Sequence, residues 1–240
     1  KIKSDFKNPE FKAELAKIEG KVKKIANEKE ARAIEASINQ GNFVLTEIEE
    51  KESSRTPAAP FTTSTLQQEA SRKLGYSVSK TMMLAQRLYE SGKITYMRTD
   101  SVNLSDTALD QITKEISHQY GDRYIQVRKY KNKNESAQEA HEAIRPTYMQ
   151  NHSVGDPELN RLYELIWKRT IASQMSDAEL EKTIAKIAVQ SPQAEEELSA
   201  SGEVVKFDGF LKVYMEGHDE DKQDASGDES RLPNLTPGQE

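Results

Sequence analysis

The spacing of apolar positions changes several times along the chain. In "EKEARAIEASINQG", Ala31, Ile34 and Ile38 recur at intervals of three and four, which predicts a helix with Gly41 as its stop. The next stretch, "FVLTEIEEKES", alternates Phe43, Leu45, Glu47 and Glu49 against Val44, Thr46 and Ile48, as a half-exposed strand does. Prolines and small residues in "SSRTPAAPF" break that pattern. Two helices follow. "LQQEASRKL" is opened by a capping box, either Ser64 with Gln67 or Thr65 with Gln68, and closed by Gly75. "KTMMLAQRLYES" is capped by Ser79 and closed by Gly92. Lys93–Met97 then predicts a short strand, so the order helix, turn, helix, strand matches a winged helix. Ser105 opens "DTALDQITKEISHQY", with Leu109, Ile112 and Ile116 on one face.

Beyond a polar loop, "KYKNKNES", Ser136 and Glu139 offer a capping box ahead of "AHEAIRP", which Pro146 ends. Asp156 or Pro157 starts a long helix, "ELNRLYELIWKRTIASQM", whose buried stripe is Leu162, Leu165, Ile166 and Trp167. The texture then returns to strands in "EKTIAKIAVQ" and in "EVVKFDGFLKVY", which holds Asp208-Gly209. The end, "GHDEDKQDASGDESRLPNLTPGQE", is acidic and rich in breakers, and a mobile loop is expected there. The whole reads as a multi-domain α+β protein. Residues 1–56 and 183–240 form a discontinuous β-rich domain, and a mainly helical, winged-helix-like domain over 57–182 is inserted in it.

Composition narrows the class. A chain of 240 residues holds one large domain or two small ones. No apolar run approaches the roughly 18 residues of a membrane span, and "KIKSDFKNPEF" is no signal peptide. Without an initiator Met, the chain begins as if cut from a longer one. The absence of cysteine excludes disulfides, thiolate zinc sites and thiol catalysis within these residues and fits a cytoplasmic protein. The net charge is −6, unevenly spread. Residues 1–60 carry 12 Lys/Arg against 11 Asp/Glu, residues 61–150 carry 13 against 10, and residues 151–240 carry 9 against 19. A phosphate-binding surface is therefore expected in the middle of the chain.

Phosphate-cradling glycine motifs are missing from the sequence, so no nucleotide is implied. His118, His141, His152 and His218 are not at metal-ligand spacings, and "DEDKQDASGDES" has Asp224 and Ser230 where a calcium loop needs Gly and Glu. What remains is "GKITYMRTDS", with Arg98 two residues after Tyr96. A phenol ionises near pH 10 and attacks poorly at neutral pH unless a cation steadies its oxyanion. In a strand, Arg98 faces the same side as Tyr96, where a guanidinium can favour the phenolate or grip two phosphate oxygens. By spacing alone Tyr96 is either a packing aromatic or a nucleophile.

Three longer stretches carry a resemblance. "APFTTSTLQQEASRKLG", "KTMMLAQRLYESGKITYMRTDSVNLSDTAL" and "SAQEAHEAIRPT", between about residues 59 and 147, together resemble the core of the bacterial type IA DNA topoisomerase I family. "LYELIWKRTIASQM" and "FDGFLKVY" are similar to it in character. The resemblance implies that Tyr96 attacks a phosphodiester of single-stranded DNA, giving a 5′-phosphotyrosyl link and a free 3′-hydroxyl. It implies that Arg98 stabilises the phosphate and that His141 orients the scissile region. Gln86, Arg87, Glu90, Thr99, Asp100 and Arg145 become supporting or DNA-contacting residues. By the same resemblance the sheet-rich segments form an arch-shaped gate, negatively supercoiled DNA relaxes without a nucleotide, and Mg²⁺ sits in a toprim domain that these residues do not include. The chain then reads as a fragment that is inactive or nearly so alone, working in the nucleoid with the rest of its parent. A winged-helix module that binds DNA without chemistry is the alternative.

Overall fold

The computed structural model describes residues 11–22, 24–131, 141–191, 194–215, 232, 235 and 238. They divide into two compact units, one of 1–53, 179–206 and 224–240, the other of 54–178 and 207–223.

The first unit is built on a four-stranded sheet. Its strands are β1 (Glu14–Ile18), β2 (Asn42–Arg55), β3 (Ala178–Gln190) and β4 (Glu195–Phe207), in the order β1-β4-β3-β2. β1 pairs antiparallel with β4, Glu14 opposite Ser199, with an irregularity between Leu15 and Lys17. Alternation along β3 and β4 buries Ala185, Ile187, Val189, Leu198 and Ala200, and these pack with Phe11 and Leu45 into a small core. Helix α1 (Glu28–Ile38) is capped by Asn27 and followed by Gly41. A Cβ on Gly41 would lie 3.2 Å from the Gln190 carbonyl oxygen and closer still to Val189, so glycine there serves a close approach as well as a helix stop.

The second unit packs four helices, α2 (Thr63–Leu74), α3 (Val78–Glu90), α4 (Asp106–Tyr120) and α5 (Pro157–Ser173). α5 is its axis: Leu162, Tyr163, Ile166 and Ile171 are fully buried, with Leu165 and Trp167 nearly so. Burial holds the Tyr163 phenol up at about 12, and its hydroxyl donates to the Asn151 carbonyl at 2.5 Å. Ser105 and Asp156 cap α4 and α5 as the sequence predicts, and Gly75 takes the left-handed conformation after α2. Two caps shift. The box at α2 is Thr62 with Thr65, and α3 is capped by Ser77, because these hydroxyls precede the first helical turn where free N–H groups need acceptors. The predicted box at Ser136 and Glu139 and the acidic stretch after Met215 lie outside the described residues.

Two expectations are corrected. Lys93–Met97 forms no strand; Ile94 makes one isolated bridge to Pro146, so no wing follows α3. Residues 208–215, which follow β4, form no strand either. Gly209 has φ +51° and a Cβ there would collide with the Asp177 carbonyl, while the Phe210 N–H donates to the Ser176 carbonyl at 2.9 Å. This turns 209–212 into a short 3-10 helix and buries Phe210 and Tyr214 among the helices, in a stretch the sequence reading assigned to the β-rich domain.

Candidate active site

Tyr96 lies in the helical unit on a non-repetitive segment with a strand-like burial rhythm. Tyr96, Arg98 and Asp100 are exposed, whereas Met97, Thr99 and Ser101 are buried. No continuous strand ladder imposes this; two threonine hydroxyls do much of it, beside a few backbone bonds. Thr63, in the first turn of α2, donates its hydroxyl to the Met97 carbonyl at 2.8 Å and accepts from the Thr99 N–H at 2.9 Å. Its own N–H donates to the Thr99 carbonyl at 2.9 Å. On the other side of Tyr96, the Thr95 hydroxyl donates to the Ala143 carbonyl at 2.6 Å and accepts from the Arg145 N–H at 2.9 Å. Thr99 in turn accepts from the Ser101 N–H at 3.1 Å, and Ser101 from the Asn103 N–H at 3.1 Å.

These contacts knot together three segments distant in sequence. Phe61 bridges to Ile144, Ile94 to Pro146, and the Ala143 N–H donates to the Asn103 carbonyl at 2.8 Å. Phe61, Ile94, Met97 and Ile144 fill the space between them and are at most 2% exposed. Tyr96 therefore stands on a rigid floor while its ring is 42% exposed. Thr63→Val keeps the side chain's shape and leaves Met97 O and Thr99 N without their partner. It is expected to cost about 1–3 kcal/mol in urea unfolding and to lower any activity of Tyr96 by more than the folded fraction falls.

The charged candidates separate into two groups. Arg98, Asp100 and His141 are exposed, and their side chains have no hydrogen-bond or ion-pair partner among the described residues. His141 lies two residues before Ala143, so the Thr95 contact brings its segment to the tyrosine. Arg145 is instead committed. Its guanidinium holds the Glu142 carboxylate at 2.7 Å and the Pro146 carbonyl at 2.9 Å, and Glu142 also accepts from the Ser105 N–H at 2.8 Å. Arg87 holds Asp156 at 3.3 Å, and that carboxylate caps α5. Gln86 donates to Glu90 at 2.6 Å one turn along α3. Thr99 is buried, and its hydroxyl accepts from the Ser101 N–H. These residues are tied into the fold, whereas Arg98, two residues from Tyr96, has no partner among the described residues.

Burial alone would raise the Glu142 carboxyl, but the bonds from Arg145 and Ser105 outweigh it and hold the group below its ordinary 4.5. A depressed carboxyl stabilises the fold above the unfolded value and loses that contribution as the pH falls through the folded value. Glu142→Gln is therefore expected to narrow the stability gap to the wild type below pH 4.5, and the two melting curves should converge in acid. A constant gap between pH 3 and 7 would sink this reading.

Sequence reasoning missed three residues here. Thr63 and Thr95 carry no motif signal as clamps, because their partners lie tens of residues away. Tyr89 carries no motif signal either, yet it is 41% exposed and its ring meets Tyr96 edge-on, 5.2 Å between centroids at 67°. No three His, Cys, Asp or Glu side chains gather to hold a metal ion among the described residues. No helix among them is long and apolar enough to cross a membrane.

The α+β fold is that of a topoisomerase I: the solved full-length topoisomerase I from Thermotoga maritima is similar, with TM-score 0.66 and 35% identity over 85% of this chain and 34% of that one. A sequence profile described as DNA topoisomerase matches residues 1–240, and the chain belongs to that family. Proteins named DNA topoisomerase 1 are similar over most of the chain. That of Zymomonas mobilis is 46% identical over 218 residues, 89% of this chain and 18% of its own. That of Mycolicibacterium smegmatis is 47% identical over 225 residues, 90% of this chain and 24% of its own. The chain thus spans about a quarter or less of these relatives' length.

Proposed function

We propose that the chain is the tyrosine-bearing part of a type IA topoisomerase and that Tyr96 cuts one DNA strand. The observation that carries this is an exposed phenol on a pinned segment, without a hydrogen-bond partner among the described residues, and an exposed arginine two residues on that likewise has no partner among them. The phenol oxygen attacks the phosphorus, the bond to the 3′-oxygen breaks, and the phenol's proton ends on the released 3′-hydroxyl. One phosphoester replaces another, so the step is close to reversible and religation needs no nucleotide. Arg98 supplies fixed positive charge where the transferring phosphate gathers negative charge. His141 and Asp100 take the role of orienting the strand.

The substrates are single-stranded and negatively supercoiled DNA, and the setting is the bacterial cytoplasm. The sheet-bearing unit serves as the gate that parts the cut strand. Mg²⁺ and the rest of the strand-binding groove belong to residues of the complete enzyme outside this chain, and the isolated chain relaxes no DNA. The coverage of about a quarter of its relatives supports that division.

The test is end-labelling in the complete enzyme that carries this chain. After cleavage and denaturation, a 3′-labelled oligonucleotide should migrate with the protein, whereas a 5′-labelled one should appear as a shortened free strand. The opposite pattern would overturn the polarity, and no adduct at all would favour a DNA-binding module without chemistry.

A further inference from the structure

The outer face of α3 carries apolar surface that the fold does not use. Leu84, Ala85 and Leu88 point into the core, while Met83 is 53% and Tyr89 41% exposed on the solvent side. The Tyr89 hydroxyl has no hydrogen-bond partner among the described residues, and its ring touches one other aromatic, Tyr96. At 67° between planes the pair is edge to face, an arrangement that leaves much of each ring open. The rim of this patch is closed by the Gln86–Glu90 hydrogen bond, which keeps that carboxylate engaged along the helix.

An exposed ring of this size beside a nucleophilic phenol suits one ligand chemistry. A nucleotide whose phosphate reaches the Tyr96 oxygen must hang its sugar and base within one nucleoside's reach of Tyr89. Every base offers a π face, so a ring there binds without demanding a sequence. We propose that Tyr89 is a positioning residue that stacks the base next to the scissile phosphate, and so aligns that phosphate with Tyr96. This rests on the reading of Tyr96 as the nucleophile. Bracing the Tyr96 ring without touching DNA is the contrasting role.

An abasic scan in the complete enzyme separates these roles. Single-stranded oligonucleotides with one abasic nucleotide, stepped through the cleavage region, are bound and cleaved by the wild type, Tyr89→Phe and Tyr89→Leu. Tyr89→Phe should match the wild type. Tyr89→Leu should bind the intact strand roughly 5- to 150-fold more weakly, the range of one lost base stack. At one position next to the cut, the abasic strand should cost the wild type a similar factor and cost Tyr89→Leu little more. Losses that multiply at every position, or a wild type indifferent to every abasic site, would overturn the stacking role. Tyr96→Phe makes the two failures distinguishable. If it still forms the covalent adduct, the nucleophile reading falls; if it does not and the losses still multiply, only the stacking inference falls.

Discussion

Tyr96→Phe in the complete enzyme is expected to leave no covalent protein–DNA adduct and to lower relaxation by on the order of 10⁴-fold or more, while the melting temperature stays unchanged. The substitution removes one oxygen. That oxygen accepts and donates no hydrogen bond among the described residues, and the ring keeps its edge-on contact with Tyr89. Nothing in the fold therefore depends on it, and a loss of activity reads directly as loss of the attacking atom. Binding of the uncut strand should survive, because the ring surface and Arg98 remain. Residual adduct at a tenth of the wild-type level would mean that another group attacks, and the assignment of Tyr96 would be wrong.

The largest effect on stability is expected far from Tyr96 in sequence, at Arg169. This side chain is 5% exposed on α5, donates from Nε to the Ala59 carbonyl at 2.6 Å, and lies 4.9 Å over the Phe61 ring and 5.3 Å over that of Tyr214. The Tyr214 hydroxyl donates to Glu69 at 2.8 Å, and Glu69 is 3% exposed with Arg72 at 3.3 Å. Burial drives the Tyr214 phenol strongly up, only partly opposed by Arg169, so it remains a donor to Glu69 at any physiological pH. Arg169→Met removes the buried cation from the Phe61 and Tyr214 rings and orphans the Ala59 carbonyl. The expected cost is about 2–5 kcal/mol in urea unfolding, a charged hydrogen bond plus desolvated cation–π contacts. Phe61, two residues from Ala59, is the bridge to Ile144 in the floor under Tyr96, so activity should fall before the protein unfolds globally. A change below about 1 kcal/mol would show that apolar packing alone holds this region.

Local signals were sufficient for much of the architecture. The 3.6-residue spacing in α4 and α5, with Ser105 and Asp156 at their starts, needs only neighbouring residues to be read, and both helices form where expected. The alternation in β2 and β3 is equally local. The caps of α2 and α3 were misplaced by two or three residues because several hydroxyls compete there, and geometry selects the one just ahead of the first turn. The false strand at Lys93–Met97 has a deeper cause. Its burial rhythm is real, but it comes from Thr63, Thr95 and the Ile94–Pro146 bridge, contacts across some 30 to 50 residues that no local period reports.

The same division holds for function. From the sequence by itself came the family and the proposed chemistry: a tyrosine followed two residues later by an arginine, inside three long stretches similar to one family, because side-chain type and order survive without knowledge of contacts. Only the tertiary structure decided which of those side chains are available. Arg87 and Arg145 look as eligible as Arg98 in the sequence, yet Asp156 and Glu142 pair with them, and Arg98 is left exposed without a partner among the described residues. Pairing energy depends on distance and burial, which the chain sets only after it has folded. For that reason the sequence could name Tyr96, and the fold had to supply its threonine clamps and the ring of Tyr89 beside it.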